Sequence, residues 1–132
     1  MALPNGSGGY QVGDGNLNTP VFGTITVPTA YTAAATLTAA DLASGLVIYT
    51  SSSTANLTLP TAAITDAAFS SAKVGSSFDV ALVATGAGVP TIVVGTGWSL
   101  ASTSGAGVAS KSVLYRAVKT GDAAYSLYRI AG

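Results

Sequence analysis

Asp14, Asp41, Asp66, Asp79 and Asp122 are the only acidic side chains in this 132-residue chain. Two carboxylates at a suitable separation are enough for glycoside hydrolysis, one as acid and the other as nucleophile or base. These five are scattered over different elements, each beside a turn, a cap or a strand, where aspartate commonly serves the backbone. The chain has no His and no Cys. The commonest general base, the commonest metal ligand and all thiol chemistry are therefore missing, and no nucleophile has the base a catalytic triad requires. The expectation is a protein that is not an enzyme, with no catalytic, cofactor-binding or metal-binding residues and no cofactor.

Weaker motifs point the same way. Asp14-Gly15-Asn16 is a fragment of a calcium loop without its remaining ligands or its terminal Glu. Gly95-Thr96-Gly97 lacks the Lys of a phosphate loop. Asn5-Gly6-Ser7 and Asn56-Leu57-Thr58 match the glycosylation sequon, but no secretory signal accompanies them. Trp98 and the tyrosines would suit a sugar-stacking platform; core and interface filling is the plainer use of such large side chains. Lys111, Arg116, Lys119 and Arg129 gather near the C-terminus, and pairing with Asp79, Asp122 or a neighbouring subunit is expected of them. Net charge is zero and only 8% of residues are charged, which offers no electrostatic attraction for nucleic acid or an anionic membrane. No apolar run has the length of a membrane span.

The elements that must position these residues are mostly strands. Ser112–Lys119 and Ala124–Ile130 read as a hairpin turning on Gly121-Asp122, with Val118 opposite Tyr125, Tyr115 opposite Tyr128 and Val113 opposite Ile130. Both of its faces are then largely apolar, whereas a strand with one wet face alternates. A small domain has one core, so the second face calls for another partner. Leu114, Tyr115, Val118, Tyr125, Leu127 and Tyr128 are the expected subunit contact. Further strands are expected at Val21–Val27, Leu46–Thr50, Ser77–Thr85 and Thr91–Val94, with weaker ones at Tyr31–Leu37, Ala55–Leu59 and Trp98–Leu100. Phe78–Val94 reads as a second hairpin. Thr38, Asp41 and Gly45 carry the cap and stop of one short helical turn. Pro60–Ala72 is the main helix expected, with Ile64, Ala68 and Ser71 on one side. No exact internal repeat is visible.

Residues 1–20 differ from the rest. Glycine recurs at positions 6, 8, 9, 13 and 15, and few side chains suit a core. A flexible tail is one reading. The preferred one is an extended arm, with Leu3, Tyr10, Val12 and Leu17 as pegs ordered by a neighbour. The expected organisation is thus an arm at 1–20 and one β-domain at 21–132. Short strands and Gly-rich turns point to an all-β sandwich or related barrel with one short helix.

Five blocks follow one another in order: Thr36–Leu42 (TLTAADL), Asn56–Ala62 (NLTLPTA), Val74–Phe78 (VGSSF), Gly95–Trp98 (GTGW) and Arg116–Tyr128 (RAVKTGDAAYSLY). Together they resemble a compact β-domain of tailed-phage virion proteins. Some members are head decoration (cement) proteins and others are C-terminal domains of fibre-like proteins. The resemblance spans Thr36–Ile130. It implies a homotrimeric β-sandwich or jelly-roll-like domain without catalysis. The expected function is a capsid decoration protein, made in the host cytoplasm and bound as trimers on the outer surface of the virion head, where it clamps neighbouring major capsid subunits. Its partners would be itself and the major capsid protein, with no nucleic acid and no membrane. The alternative is a small trimeric fibre, spike or receptor-binding module that holds a glycan through Trp98 and tyrosines.

Overall fold

The computed structural model describes residues 25–101 and 105–132. Local chemistry starts the fold at β1 (Ala35–Thr36) and α1 (Ala39–Ser44). The Thr38 side chain accepts from the Asp41 N–H at 3.2 Å, and the Asp41 carboxylate accepts from the Thr38 N–H at 2.9 Å. This is the reciprocal capping box, with Asp in the place of the usual Glu. Gly45 stops the helix with φ of 71°, and a Cβ there would sit 3.0 Å from the Asp79 carbonyl oxygen. Both the left-handed backbone and the close approach require glycine.

The chain then alternates between two sheets. β2 (Leu46–Tyr49), β4 (Ser77–Ala84), β6 (Trp98–Leu100), β7 (Ser112–Gly121) and β8 (Ala124–Ala131) form one in the order β2-β4-β7-β8-β6. β1, β3 (Ala55–Thr58) and β5 (Pro90–Val93) form the other in the order β1-β3-β5. The second helix, α2 (Ala62–Ala68), joins β3 to β4. One core cluster draws on both sheets, with Leu57 and Ile92 from the smaller and Val47, Leu82, Tyr115 and Leu127 from the larger. The fold is mostly β and consistent with a β-sandwich. Its ladders do not show a jelly roll. Among the named strands, β1-β3, β3-β5, β2-β4 and β6-β8 are parallel, and β4-β7 and β7-β8 are antiparallel.

A repeat appears that the letters did not reveal. β1-α1-β2 and β3-α2-β4 each run from the smaller sheet, through a Thr-capped helix, to the larger sheet. Thr38 and Thr61 are the caps, and the fourth residue after each, Leu42 or Thr65, is buried. The two units share the Thr cap and the buried fourth residue, but only α1 closes a capping box and ends on a left-handed glycine, and one buries a Leu where the other buries a Thr.

Several expectations need correction. Phe78–Val94 is not a hairpin: β4 already has β2 and β7 as its neighbours, and β5 crosses to pair with β3. Of the strand expected at Val21–Val27, residues 21–24 lie outside the described residues. Ile25–Val27 are exposed and outside any strand, and Pro28, which follows, has no N–H to give a ladder. α2 is shorter than expected because Thr61 is its N-cap and Phe69 its C-cap. Its inward side carries Ala62, Thr65, Asp66 and Phe69 at helical spacing. Ile64, which heads the side grouped with Ala68 and Ser71, is 57% exposed.

Over Tyr115–Lys119 the closing hairpin is one residue out of the expected register, with irregularities at Leu114/Tyr115 and Lys119/Gly121. Gly121 pairs with Ala124, so Asp122-Ala123 form the turn, with Ala123 at φ of 48°. The ladder shifts by one between Gly121 and Lys119, so Lys119 faces Tyr125, Ala117 faces Leu127 and Arg116 faces Tyr128. A one-residue slip reverses the face of every side chain on one strand relative to the other.

Candidate interaction faces

In the expected register the six residues named for a subunit contact already span both faces of the hairpin, and the slip regroups them. Tyr115, Tyr125 and Leu127 are 1–3% exposed and belong to the chain's own core. They line the inner face with Val113, Ala117 and Lys119, all buried. Leu114 and Val118 are half-buried on the outer face, and Tyr128 is exposed there. The expected contact arm, with Leu3, Tyr10, Val12 and Leu17, lies outside the described residues.

The inner face carries a polar cluster. Lys119 Nζ donates to Asp66 Oδ1 at 2.5 Å and to the Ala72 carbonyl at 3.2 Å. Tyr125 Oη donates to Asp66 Oδ1 at 3.0 Å, and the Ala123 N–H donates to Asp66 Oδ2 at 3.2 Å. One carboxylate on α2 thereby holds both strands of the hairpin and its turn. The hydrogen bond from Lys119, aided by those from Tyr125 and Ala123, holds the Asp66 carboxyl below its ordinary value. Burial, with the Asp66 carboxylate beside it, pushes the Tyr125 phenol up to about 12. Trp98 stacks on Tyr125 with ring centroids 5.0 Å apart, and its indole N–H donates to the Pro60 carbonyl at 2.9 Å. Trp98 is 7% exposed. It fills the core and offers no open ring for a sugar. Among the described residues, no buried side-chain polar atom lacks a partner.

The outer face is built differently. Across the ladders, Leu46, Ala81 and Leu114 form one row, and Ile48 and Val83 another. All five are half-buried. Tyr128 and Ile130 are 41% and 51% exposed. The charges on this face are one pair, Arg116 with Asp79, bidentate at 2.8 and 3.2 Å. Arg116 holds the Asp79 carboxyl below its ordinary value.

The remaining titratable groups fall into place by contact. Asp41, besides its cap, accepts from Tyr31 Oη at 2.6 Å. Burial, with that carboxylate beside it, pushes the Tyr31 phenol up to about 12. Arg129 donates to the Ala106 and Gly132 carbonyls at 2.9 and 2.7 Å. Asp122, one of the carboxylates expected as a partner for the basic residues near the C-terminus, sits exposed in the turn; Arg116 pairs with Asp79 as expected, and Lys119 pairs with Asp66. No signal in the sequence singled out Asp66, because its partners lie more than fifty residues away.

Among the described residues, no helix is long and apolar enough to cross a membrane, and no group of three or more His, Cys, Asp or Glu side chains gathers at a metal-binding spacing. Comparisons with protein-family models, curated proteins and solved structures find no match.

Proposed function

We propose that this chain is a structural virion protein, a phage capsid decoration protein that assembles as homotrimers on the outer surface of the head and clamps neighbouring major capsid subunits. The outer face of the five-stranded sheet carries this reading. Leu46, Ile48, Val83, Leu114, Tyr128 and Ile130 give it an apolar surface, and its single ion pair is internally neutralised. Such a face repels neither a copy of itself nor a neutral partner, and covering it would bury more apolar area. Three described carboxylates, Asp41, Asp66 and Asp79, are each held by named structural partners. The block resemblance over Thr36–Ile130 supplies the virion context. The alternative fibre-like module shares the trimer but loses Trp98 from its proposed platform, because that side chain is buried.

Gold labelling of virions from the source, with antibody raised against this chain, should decorate heads in many copies. Label confined to tails would favour the fibre-like alternative, and particles without label would overturn both. Sedimentation of the purified chain should give a trimer, and Tyr128→Asp should shift it towards monomer while circular dichroism stays unchanged. A wild-type monomer at micromolar concentration would remove the support drawn from the outer face.

A further inference from the structure

A groove of about 510 Å³ opens between α1, the end of α2 and the start of β4. Its size falls within the roughly 300–1,000 Å³ range of small-ligand clefts. Phe69 and Phe78, both half-buried, line it, with ring centroids 5.2 Å apart in an edge-to-face pair. Ser70, Ser71 and Ser77 line it too, all exposed. Asp79 stands at its rim. The Asp79 carboxylate accepts two hydrogen bonds from Arg116, while an ionised carboxylate offers about four acceptor sites. It is therefore neutralised yet still able to accept. The nearby Asp66 charge is likewise matched by Lys119.

These features select a class of ligand. A charged ligand finds no unmatched opposite charge among the groove's lining. A purely apolar one leaves the serine hydroxyls and the spare acceptor sites of Asp79 without use. A neutral ring with one apolar face and several hydroxyls uses both parts, because its C–H face suits aromatic side chains and its hydroxyls can both donate and accept. We propose that this groove binds one neutral sugar residue, with the ring's apolar face stacked on one ring of the edge-to-face Phe69–Phe78 pair and its hydroxyls towards Ser70, Ser71, Ser77 and Asp79. Neither Trp98 nor Tyr128 lines this site; Ser77 and Asp79, at its rim, are shared with the outer face, so the site requires that edge of the face to stay open in an assembly, and it does not rest on where in a virion the chain resides.

The test is a titration of the full isotope-labelled chain with methyl glycosides of glucose, galactose, mannose and N-acetylglucosamine, followed by amide NMR. At least one glycoside should shift amides of Leu42, Ala43 and Ser70–Asp79 selectively, with millimolar affinity. Ser77→Val should weaken that binding about five- to tenfold, the effect of one lost hydrogen bond. Phe69→Leu, which keeps an apolar side chain at the site, should weaken it by a similar factor. Sorbitol, which has hydroxyls but no ring face, should leave these amides unmoved. The proposal is overturned if no glycoside shifts them up to about 50 mM, far above a millimolar dissociation constant. It is also overturned if the shifts scatter over the surface, if sorbitol acts equally, or if both variants bind like the parent. A peptide of residues 1–20 that shifts the same amides while the glycosides do not would assign the groove to the chain's own N-terminal stretch and likewise overturn it.

Discussion

The closing hairpin carries an ion pair on each face, and the two differ in nearly everything but their chemistry. Lys119 and Asp66 have side chains 9% and 24% exposed, and Asp66 also takes bonds from Tyr125 and the Ala123 N–H. The Arg116 and Asp79 side chains are 49% and 42% exposed and, among the described residues, bond only to each other. The inner pair joins a helix to a hairpin across more than fifty residues of chain, so it is part of how the fold closes. The outer pair joins adjacent strands that the β4-β7 ladder already holds. It adds little to closure and leaves a neutral surface behind. Burial and extra partners, more than the presence of opposite charges, separate a fold-defining pair from a surface-tuning one.

The comparison is broken most severely from within the inner face. Leu127→Ala removes a side chain 3% exposed that faces Ala117 in the core, and it should cost about 2–5 kcal/mol in denaturant unfolding. Leu114→Ala, on the outer face of the same hairpin, should cost much less in the isolated subunit. Equal losses would mean that the two faces are not distinct.

Next in size is the inner pair itself. Asp66→Asn leaves the Lys119 ammonium without its countercharge in a largely buried place, and should lower the melting temperature by roughly 5–10 °C. The double variant Asp66→Leu/Lys119→Met should recover part of that loss, because it removes both charges and leaves none stranded. A double variant worse than Asp66→Asn would show that the bonds to Tyr125 and Ala123 matter more than the charge pair.

Alkaline pH probes the same cluster more gently. Tyr125 and Tyr31 ionise at about 12 in the folded chain, against 10.0 ordinarily. Between those values the unfolded chain has released these protons and the folded chain has not. Stability is therefore fully present below pH 10 and declines as pH rises towards 12. Unfolding midpoints across that window should fall, and Tyr125→Phe should flatten the decline. On the acid side the sign reverses. Asp66 and Asp79 are held below 3.8, so their contribution persists at neutral pH and is lost as pH falls through their folded values.

How much of this was legible depended on the range of the interaction. The Thr38–Asp41 box and the Gly45 stop were readable because cap, partner and stop lie within eight residues. Strand alternation placed β2, β4, β7 and β8 almost to the residue. The hairpin register was missed by one because Gly121-Asp122 has the better turn composition, whereas the positive φ falls on Ala123, beside the N–H that Asp66 holds. Helical spacing groups Ile64 with Ala68 and Ser71 on one side of the helix, which the fold leaves exposed. The fold instead buries Thr65, whose hydroxyl donates to the Thr61 carbonyl at 3.1 Å, and turns Asp66 to the hairpin. The crossing from β4 to β5 was also hidden, because short runs joined by glycines read alike whether the chain turns back within a sheet or passes to the opposite one.

The smallest expected effect is the sharpest test of what the outer pair does. Asp79→Asn keeps the size of the side chain and removes its charge. Both partners are about half exposed and the ladder between their strands persists, so the melting temperature of the isolated subunit should move by no more than about 2 °C. Arg116, however, would then stand as an unmatched cation on an otherwise neutral apolar face. In a symmetric assembly every copy carries the same unmatched charge. If this face is the subunit contact, burying it becomes unfavourable in each copy at once, and sedimentation should show dissociation at concentrations where the parent stays assembled. High salt screens charges that remain near solvent, so it should restore part of that association. A variant that loses stability without losing association would invert the comparison and make the outer pair a fold-defining one.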